Sequence, residues 1–566
     1  MKRFTGFILL TAAAAILTAA SKRDAPLNNA PLVLESSDLT PRPGRILTYK
    51  VTKTGNGVSA RDTLSVTCAG TASIPAAKVK SAYVVQSPLF EVYREVTGKE
   101  INVHSYAFTK LVSDVVVREW VKEKRLAFPL KIGAKWEGGS IPAVFGVSQS
   151  RALTKTTSYR VAAEEILEVP AGRYRCLKVE MKVKAKGLPP EFQKRCEKAV
   201  TYRWYAKGVG LVKSESVSPV SGVVETRELT GTVEPGTDAT GDAVSSIKQA
   251  ELLPKRGRIH YYSYSGGGYR GTIGISDYAI NTFLGDFGTG VKTIKYILKK
   301  DAFIQMNRHP FLFKGPFYLY LFPLEKGKEW KTVPGYKGMK RKVESVEIVG
   351  TPYRSYVSMR IDTRDTTGKL VLEEWVVPDV GVVKWIRHKT GASETYELEY
   401  LLDDSGARSP YRIPFTGGAR KCTNAWAIGP SRTSHRGWSR FAVDFHGPPD
   451  TPVHAARGGT VVAVKSDSRS GGNSDKYIAD ANFVIIRHED DTYGVYYHLK
   501  HDSVKVKVGE EVKQRKLIGR IGLTGWTRGP HLHFYVHNGI TSIPVAFADI
   551  PTDYGIPKRN KTYKPR

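Results

Sequence analysis

The chain reads as a mainly β protein: two tandem antiparallel curved-sheet domains followed by a third β-rich domain. Three observations lead there. Short segments such as Leu177-Lys178-Val179-Glu180-Met181-Lys182-Val183 alternate apolar and polar residues, the mark of a strand with one buried face. A set of landmarks recurs in the same order over the first two-thirds of the sequence. Long stretches with helical periodicity are scarce. At 566 residues the chain exceeds what one hydrophobic core sustains.

The elements follow in chain order. Residues 1–21 have the composition of a secretory signal peptide. Lys2-Arg3 form a basic start, Phe4 to Leu17 an apolar run, and Thr18-Ala19-Ala20-Ser21 a small-residue cleavage zone. No cysteine stands near that zone for lipid attachment, and no later run is long and apolar enough to span a bilayer. The mature protein is therefore expected to be exported and soluble, periplasmic or secreted, meeting the membrane only in transit.

Residues 40–230 and 254–402 read as two copies of one β-domain, joined by a linker over 231–253. Pro43-Gly44-Arg45-Ile46-Leu47-Thr48-Tyr49 matches Arg256-Gly257-Arg258-Ile259-His260-Tyr261-Tyr262. Phe128-Pro129-Leu130, Gly133 and Trp136 match Phe322-Pro323-Leu324, Gly327 and Trp330. The strand opened by Trp204, with Val209-Gly210 and Lys213, matches that opened by Trp375, with Val380-Gly381 and Lys384. Two copies at so long a period indicate tandem domains, not a solenoid. The aromatics read as core and the glycines as turns. These signatures resemble uncharacterised β-domains of bacterial exported proteins, a resemblance that carries no chemistry. Glu234-Pro235-Gly236-Thr237-Asp238-Ala239-Thr240-Gly241-Asp242 is small and polar, as linkers are. A second boundary falls near Asp403-Asp404-Ser405-Gly406, leaving 405–566 as the third domain with a basic tail.

The four cysteines (Cys68, Cys176, Cys196, Cys422) lack paired metal-ligand spacing. Cys176 and Cys196 share one domain, and the sequence leaves open whether they form a disulfide. The formal charge is +32, of which residues 405–566 carry +12 from 25 Lys/Arg and 13 Asp/Glu. The excess is spread along the chain. With no nucleic-acid-binding motif and an export signal, it suits weak, salt-sensitive attraction to an anionic envelope polymer and not to nucleic acid. Nothing in the sequence sets an oligomeric state.

The third domain holds the chemistry. Nine of the thirteen histidines lie between 435 and 537. Asp444-Phe445 leads into Pro449-Asp450-Thr451-Pro452-Val453. The strand Asn482–His488 and Tyr496-Tyr497-His498-Leu499 follow. A glycine turn then precedes Gly529-Pro530-His531-Leu532-His533-Phe534. Histidines two apart on a strand share a face. In this order the motifs resemble the LytM/lysostaphin-type zinc endopeptidases, which cut peptide cross-links of peptidoglycan. The resemblance covers about 430–540.

That resemblance implies one Zn²⁺ held by His435, Asp444 and His533, with water as fourth ligand. A His/Asp/His set with an open position is typical of catalytic zinc. It also implies two assisting histidines. His531 would be general base, and His498 would orient the water or stabilise the oxyanion, the two roles being exchangeable. The absence of H-E-x-x-H excludes a helical zinc site with a glutamate base. The family spaces its first ligands as H-x-x-x-D, whereas His435 and Asp444 are nine apart. The literal H-x-x-x-D, His446 to Asp450, is set aside. The register before P-x-x-P-V selects Asp444, and Asp450 stands where a turn glycine belongs. Trp526 and Arg528 form a candidate substrate-binding lip, with Arg528 suited to a stem-peptide carboxylate. The implied partner is a peptidoglycan stem peptide or cross-bridge. The alternative is a catalytically inactive relative that binds the wall or activates an amidase.

Overall fold

The computed structural model describes residues 30–565 except for short internal stretches, among them 235–242, 253–257, 306–316, 403–408, 426–434 and 436–438. The signal-peptide reading, most of the polar linker and the 403–406 boundary therefore lie outside the described residues.

The chain is mainly β. In the first copy, the strand Ile46–Gly55 pairs on one side with Val58–Ile74 and on the other with the last strand, Val224–Val233. In the second copy, Ile259–Gly266 pairs in the same way with Tyr269–Ala279 and with Ala392–Leu402. Each copy thus bends a meandering antiparallel sheet until its first strand meets its last. The shared landmarks sit at matching places. Both Phe-Pro bonds, Phe128-Pro129 and Phe322-Pro323, are cis. Both tryptophan strands slip register just after the indole, at Trp204/Tyr205 and at Trp375/Val376. Both indoles donate to a glutamate at 2.6 Å, Trp204 to Glu165 and Trp375 to Glu347. A buried indole N–H needs an acceptor, so the pair Trp/Glu is preserved as a unit.

Two boundaries differ from the sequence expectation. The first copy takes in residues before 40: Leu34 bridges to Leu130, and Leu34 and Leu39 are buried. The second half of the expected linker belongs to the second copy, because Ser246–Ile247 pairs with Leu324–Glu325 and Ile247 is fully buried. Cys176 and Cys196 are free, buried thiols, so the disulfide is not formed. Cys176 lies in a strand and Cys196 on the helix Pro190–Lys198. Among the described residues, no helix is long and apolar enough to cross a membrane.

The third domain is built on one antiparallel sheet. Its strands run in the order Arg420–Asn424, Val443–His446, His531–His537, Tyr493–Leu499, Asn482–Arg487 and Gly459–Lys465. Period-two alternation divides the His531–His537 strand. Leu532, Phe534 and Val536 enter the core with Phe445, Tyr496 and Phe547, all essentially unexposed. His531, His533 and Tyr535 take the opposite face. Each buried aromatic or aliphatic side chain contributes about 1.5–3 kcal/mol, and that layer fixes the sheet on which the histidines stand.

The first copy docks on the edge of this sheet. Ser59 and Ala60 pair with Val464 and Ala463, extending the sheet across the domain junction. Asp62 accepts from Arg487 at 2.6 Å and from the Tyr493 hydroxyl at 3.2 Å. The Lys465 ammonium donates to the carbonyl of Asn56 at the hairpin tip. Gly57 turns that tip at φ +70°, and a Cβ there would fall 1.9 Å from the Asp467 carboxylate. Only glycine suits both demands.

Candidate active site

The strand Val443–His446 presents Asp444 and His446 on the face that looks away from the core. Register places Asp444 opposite His533, His446 opposite His531, and Tyr497 opposite His533. The row is a direct product of strand alternation. His498 reaches it differently. It is the extra residue of a bulge, because Leu499 pairs with Asn482 while Tyr497 pairs with the next residue, Phe483. Its φ is +65°, a conformation uncommon for a residue with a Cβ. The bulge turns the imidazole back to the face that Tyr497 already occupies.

His435 comes from outside the sheet and brings a buried ring to the same point. Its Nε2 lies 3.0 Å from Asp444 Oδ2, while His533 Nδ1 lies 2.8 Å from Asp444 Oδ1. Two imidazoles thus converge on one carboxylate. Ligand atoms of His435, Asp444 and His533 lie within 4.8 Å of one another, as do those of His498, His531 and His533. The first set, two neutral-capable nitrogens and a carboxylate, fits a zinc ion in composition and approach. His435 Nδ1 bonds the carbonyl of Ala425 at 3.2 Å, which turns Nε2 toward the site. Such an outer acceptor is the usual support of a ligating histidine.

The same logic orients the other two rings. His498 Nδ1 donates to Thr524 O at 2.8 Å, and His531 Nδ1 donates to Gly529 O at 2.8 Å. A carbonyl can only accept, so each Nδ1 carries the proton and each Nε2 is left as a base. The two rings are 4.7 Å apart, centre to centre. Burial, together with the neighbouring His531 and His533, pushes the pKa of His498 well below the usual histidine range. Burial opposes charge on Asp444 as well, yet His435 and His531 hold its carboxyl far below the ordinary value. His435 moves upward: burial resists its protonation, and the Asp444 carboxylate outweighs that.

A cavity of about 400 Å³ opens over these groups. Trp526 and Arg528 line it, the guanidinium lying 5.5 Å from the indole centre and 3.4 Å from Asn473 Oδ1. Trp526 belongs to a two-residue parallel pairing of Gly525–Trp526 with Gly471–Gly472. His446 also lines the cavity but joins neither candidate ligand set. Asp450 is exposed, holds φ +69° at a turn, and is tied to Lys500 at 2.7 Å. Cys422 bonds the carbonyl of Asn424, and burial followed by the Asp444 charge pushes its thiol up to about 12. Sequence reading passed over Tyr497, Ile478 and Ala481, which complete the cavity wall. Tyr497 was findable from alternation with His533. The turn Asp475–Asp480, which supplies Ile478, left no pattern to read.

Comparison with known proteins finds relatives for two stretches of the chain. Residues 439–544 match the family described as Peptidase family M23, the match starting after His435. Residues 121–224, in the first copy, match the DUF3108-like family. Peptidoglycan DD-endopeptidase ShyC of Vibrio cholerae is 37% identical over 112 residues, 20% of this chain and 22% of that protein. Glycyl-glycine endopeptidase ALE-1 of Staphylococcus capitis is 30% identical over 109 residues, 19% of this chain and 27% of that protein. The chain thus spans about a quarter or less of these relatives' length. The solved catalytic domain of the M23 protein EnpA from Enterococcus faecalis is 23% identical, covering 25% of this chain and 97% of its own, with a TM-score of 0.19. Residues 439–544 of this chain form a LytM/lysostaphin-type domain of peptidase family M23.

Proposed function

We propose that the protein is an exported zinc endopeptidase that hydrolyses peptide cross-links of peptidoglycan. The observation that carries this reading is the convergence of His435 and His533 on Asp444, with the Nε2 atoms of His498 and His531 beside them, that of His531 3.6 Å from Asp444 Oδ1. The family match and the relatives named as peptidoglycan and glycyl-glycine endopeptidases support the substrate class. The signal peptide expected at residues 1–21 and the basic charge agree with a substrate outside the cell.

His435 Nε2, Asp444 and His533 Nδ1 are the groups that would hold the metal. Zinc, when bound, polarises the scissile carbonyl and acidifies water. His531 Nε2 accepts the proton of the attacking water and returns it to the leaving amine. His498 Nε2, its Nδ1–H committed to Thr524 O, accepts a hydrogen bond and orients that water. Trp526 offers a flat apolar surface to the substrate, and Arg528 pairs with a carboxylate of the stem peptide. Digestion of purified sacculi followed by mass spectrometry of released muropeptides tests the reading. New amino termini at cross-links, lost in His531→Ala, are expected. Intact cross-links with wild-type protein carrying stoichiometric zinc would reject it.

A further inference from the structure

The concave side of the first copy holds an excess of positive charge that the peptidase chemistry does not use. Tyr93 faces outward, bonding Ser355 of the second copy at 2.8 Å, so its neighbour Arg94 faces inward. Arg94 pairs in register with Val103, and Val103 with Glu123. Glu123 marks this inner face: it accepts from Arg125 at 2.8 Å, from Thr157 at 3.1 Å and from the Tyr159 hydroxyl across the concavity. Lys155 lies on the Thr157 and Tyr159 side of its strand. Arg203 reaches from the far strand to Met181, Nη1 to Sδ 3.7 Å.

Four cations thus share the inner face with one carboxylate, which pairs with Arg125. Arg125 is paired with Glu123, but its Nε is buried without an acceptor. Among the described residues, Arg203 has only a thioether as hydrogen-bond partner, and Arg94 and Lys155 bond no carboxylate. A single anion does not offset this. Burial lowers the pKa of Arg94, Lys155 and Arg203, and Arg125 adds to the effect on each. All three side chains are only half-buried although they point inward. The concavity therefore contains solvent-accessible space. Beside the charges lies an apolar layer of Leu126, Val161, Leu177, Val179 and Tyr205.

We propose that this concavity binds a phosphoryl anion. An excess of three positive charges matches a group of charge about −1.5 to −2 better than one carboxylate. Guanidinium forks suit its several oxygens, and the buried Arg125 Nε supplies a donor that has no other use. A free phosphate and a lipid headgroup share this chemistry, and the probes separate the two sources.

The test is titration calorimetry on the full chain with inorganic phosphate, pyrophosphate, dihexanoyl phosphatidic acid and, as a zwitterionic control, dihexanoyl phosphatidylcholine below its micelle concentration. Binding of phosphatidic acid, weakened at least tenfold in Arg94→Gln/Arg203→Gln, is the expected result for a lipid source. Equal binding of phosphate or pyrophosphate assigns a free source. Lys155→Gln provides the same reading if the double variant does not fold. Sacculus digestion should be unchanged in these variants, so the site and the peptidase activity fail separately. No heat with any anionic probe, equal binding of phosphatidylcholine, or unweakened binding in the variants would overturn the proposal.

Discussion

Asp444 is the residue on which the candidate centre turns, since it takes both His435 and His533 within 3.0 Å. Asp444→Asn and His533→Ala are expected to purify without stoichiometric zinc, by metal analysis, and to lose turnover. His531→Ala should keep its metal and lose about 10²–10⁴ in rate, the span of general acid–base catalysis. Away from the centre, His488 and His537 are each depressed by burial to about 4. An unfolded histidine titrates near 6.5. Both groups are neutral when folded, so their contribution is complete above pH ~6.5 and lost as pH falls toward 4, at most about 3 kcal/mol each. Denaturant midpoints should decline over that window, and less steeply in His488→Gln/His537→Gln. His531, His533 and Asp444 were legible because strand alternation and motif order carry their placement. The approach of His435 was not, since it stands nine positions before Asp444 and only the folded chain closes that distance.

The bulge in the strand Tyr493–Leu499 shows what period-two reasoning misses. Alternation from Tyr497 assigns His498 to the core face, and a left-handed φ of +65° reverses that. Resemblance to a family named the residue; no local pattern predicts the bulge. The element that holds it in place is the turn before the His531–His537 strand, because Thr524 O accepts a hydrogen bond from His498 Nδ1 and Gly525 follows at φ +80°. A Cβ on Gly525 would lie 2.5 Å from that of Ala481. Gly525→Ala should therefore cost about 1–3 kcal/mol in thermal or chemical unfolding. It should also lower activity, by shifting both the Thr524 carbonyl and Trp526. The repeated Trp/Glu pair makes a parallel case. The indoles were read as core, correctly, while the 2.6 Å bonds to Glu165 and Glu347 depended on strands whose pairing the sequence does not spell out.

At the scale of the molecule, the division into two curved β-domains and a peptidase domain was readable from landmarks repeated in order. Their mutual arrangement was not. Nothing in Asn56-Gly57 or Asp62 distinguishes a docking hairpin from a solvated one, and the junction appears only when Ser59 and Ala60 meet Val464 and Ala463. Asp62→Ala removes the acceptor shared by Arg487 and Tyr493 and should loosen the junction. Faster proteolysis between the second copy and residue 409 would report this, with zinc content unchanged. The junction also has a colloidal meaning. The strand Gly459–Lys465 is covered on its outer side only in part by Glu511–Val512, and the remainder is covered by the first copy. A peptidase domain cut free would carry an open β-edge bearing Val462 and Val464, a template for pairing with its own kind. Such a fragment should self-associate as concentration rises, whereas the intact chain, its edge already taken, should remain dispersed.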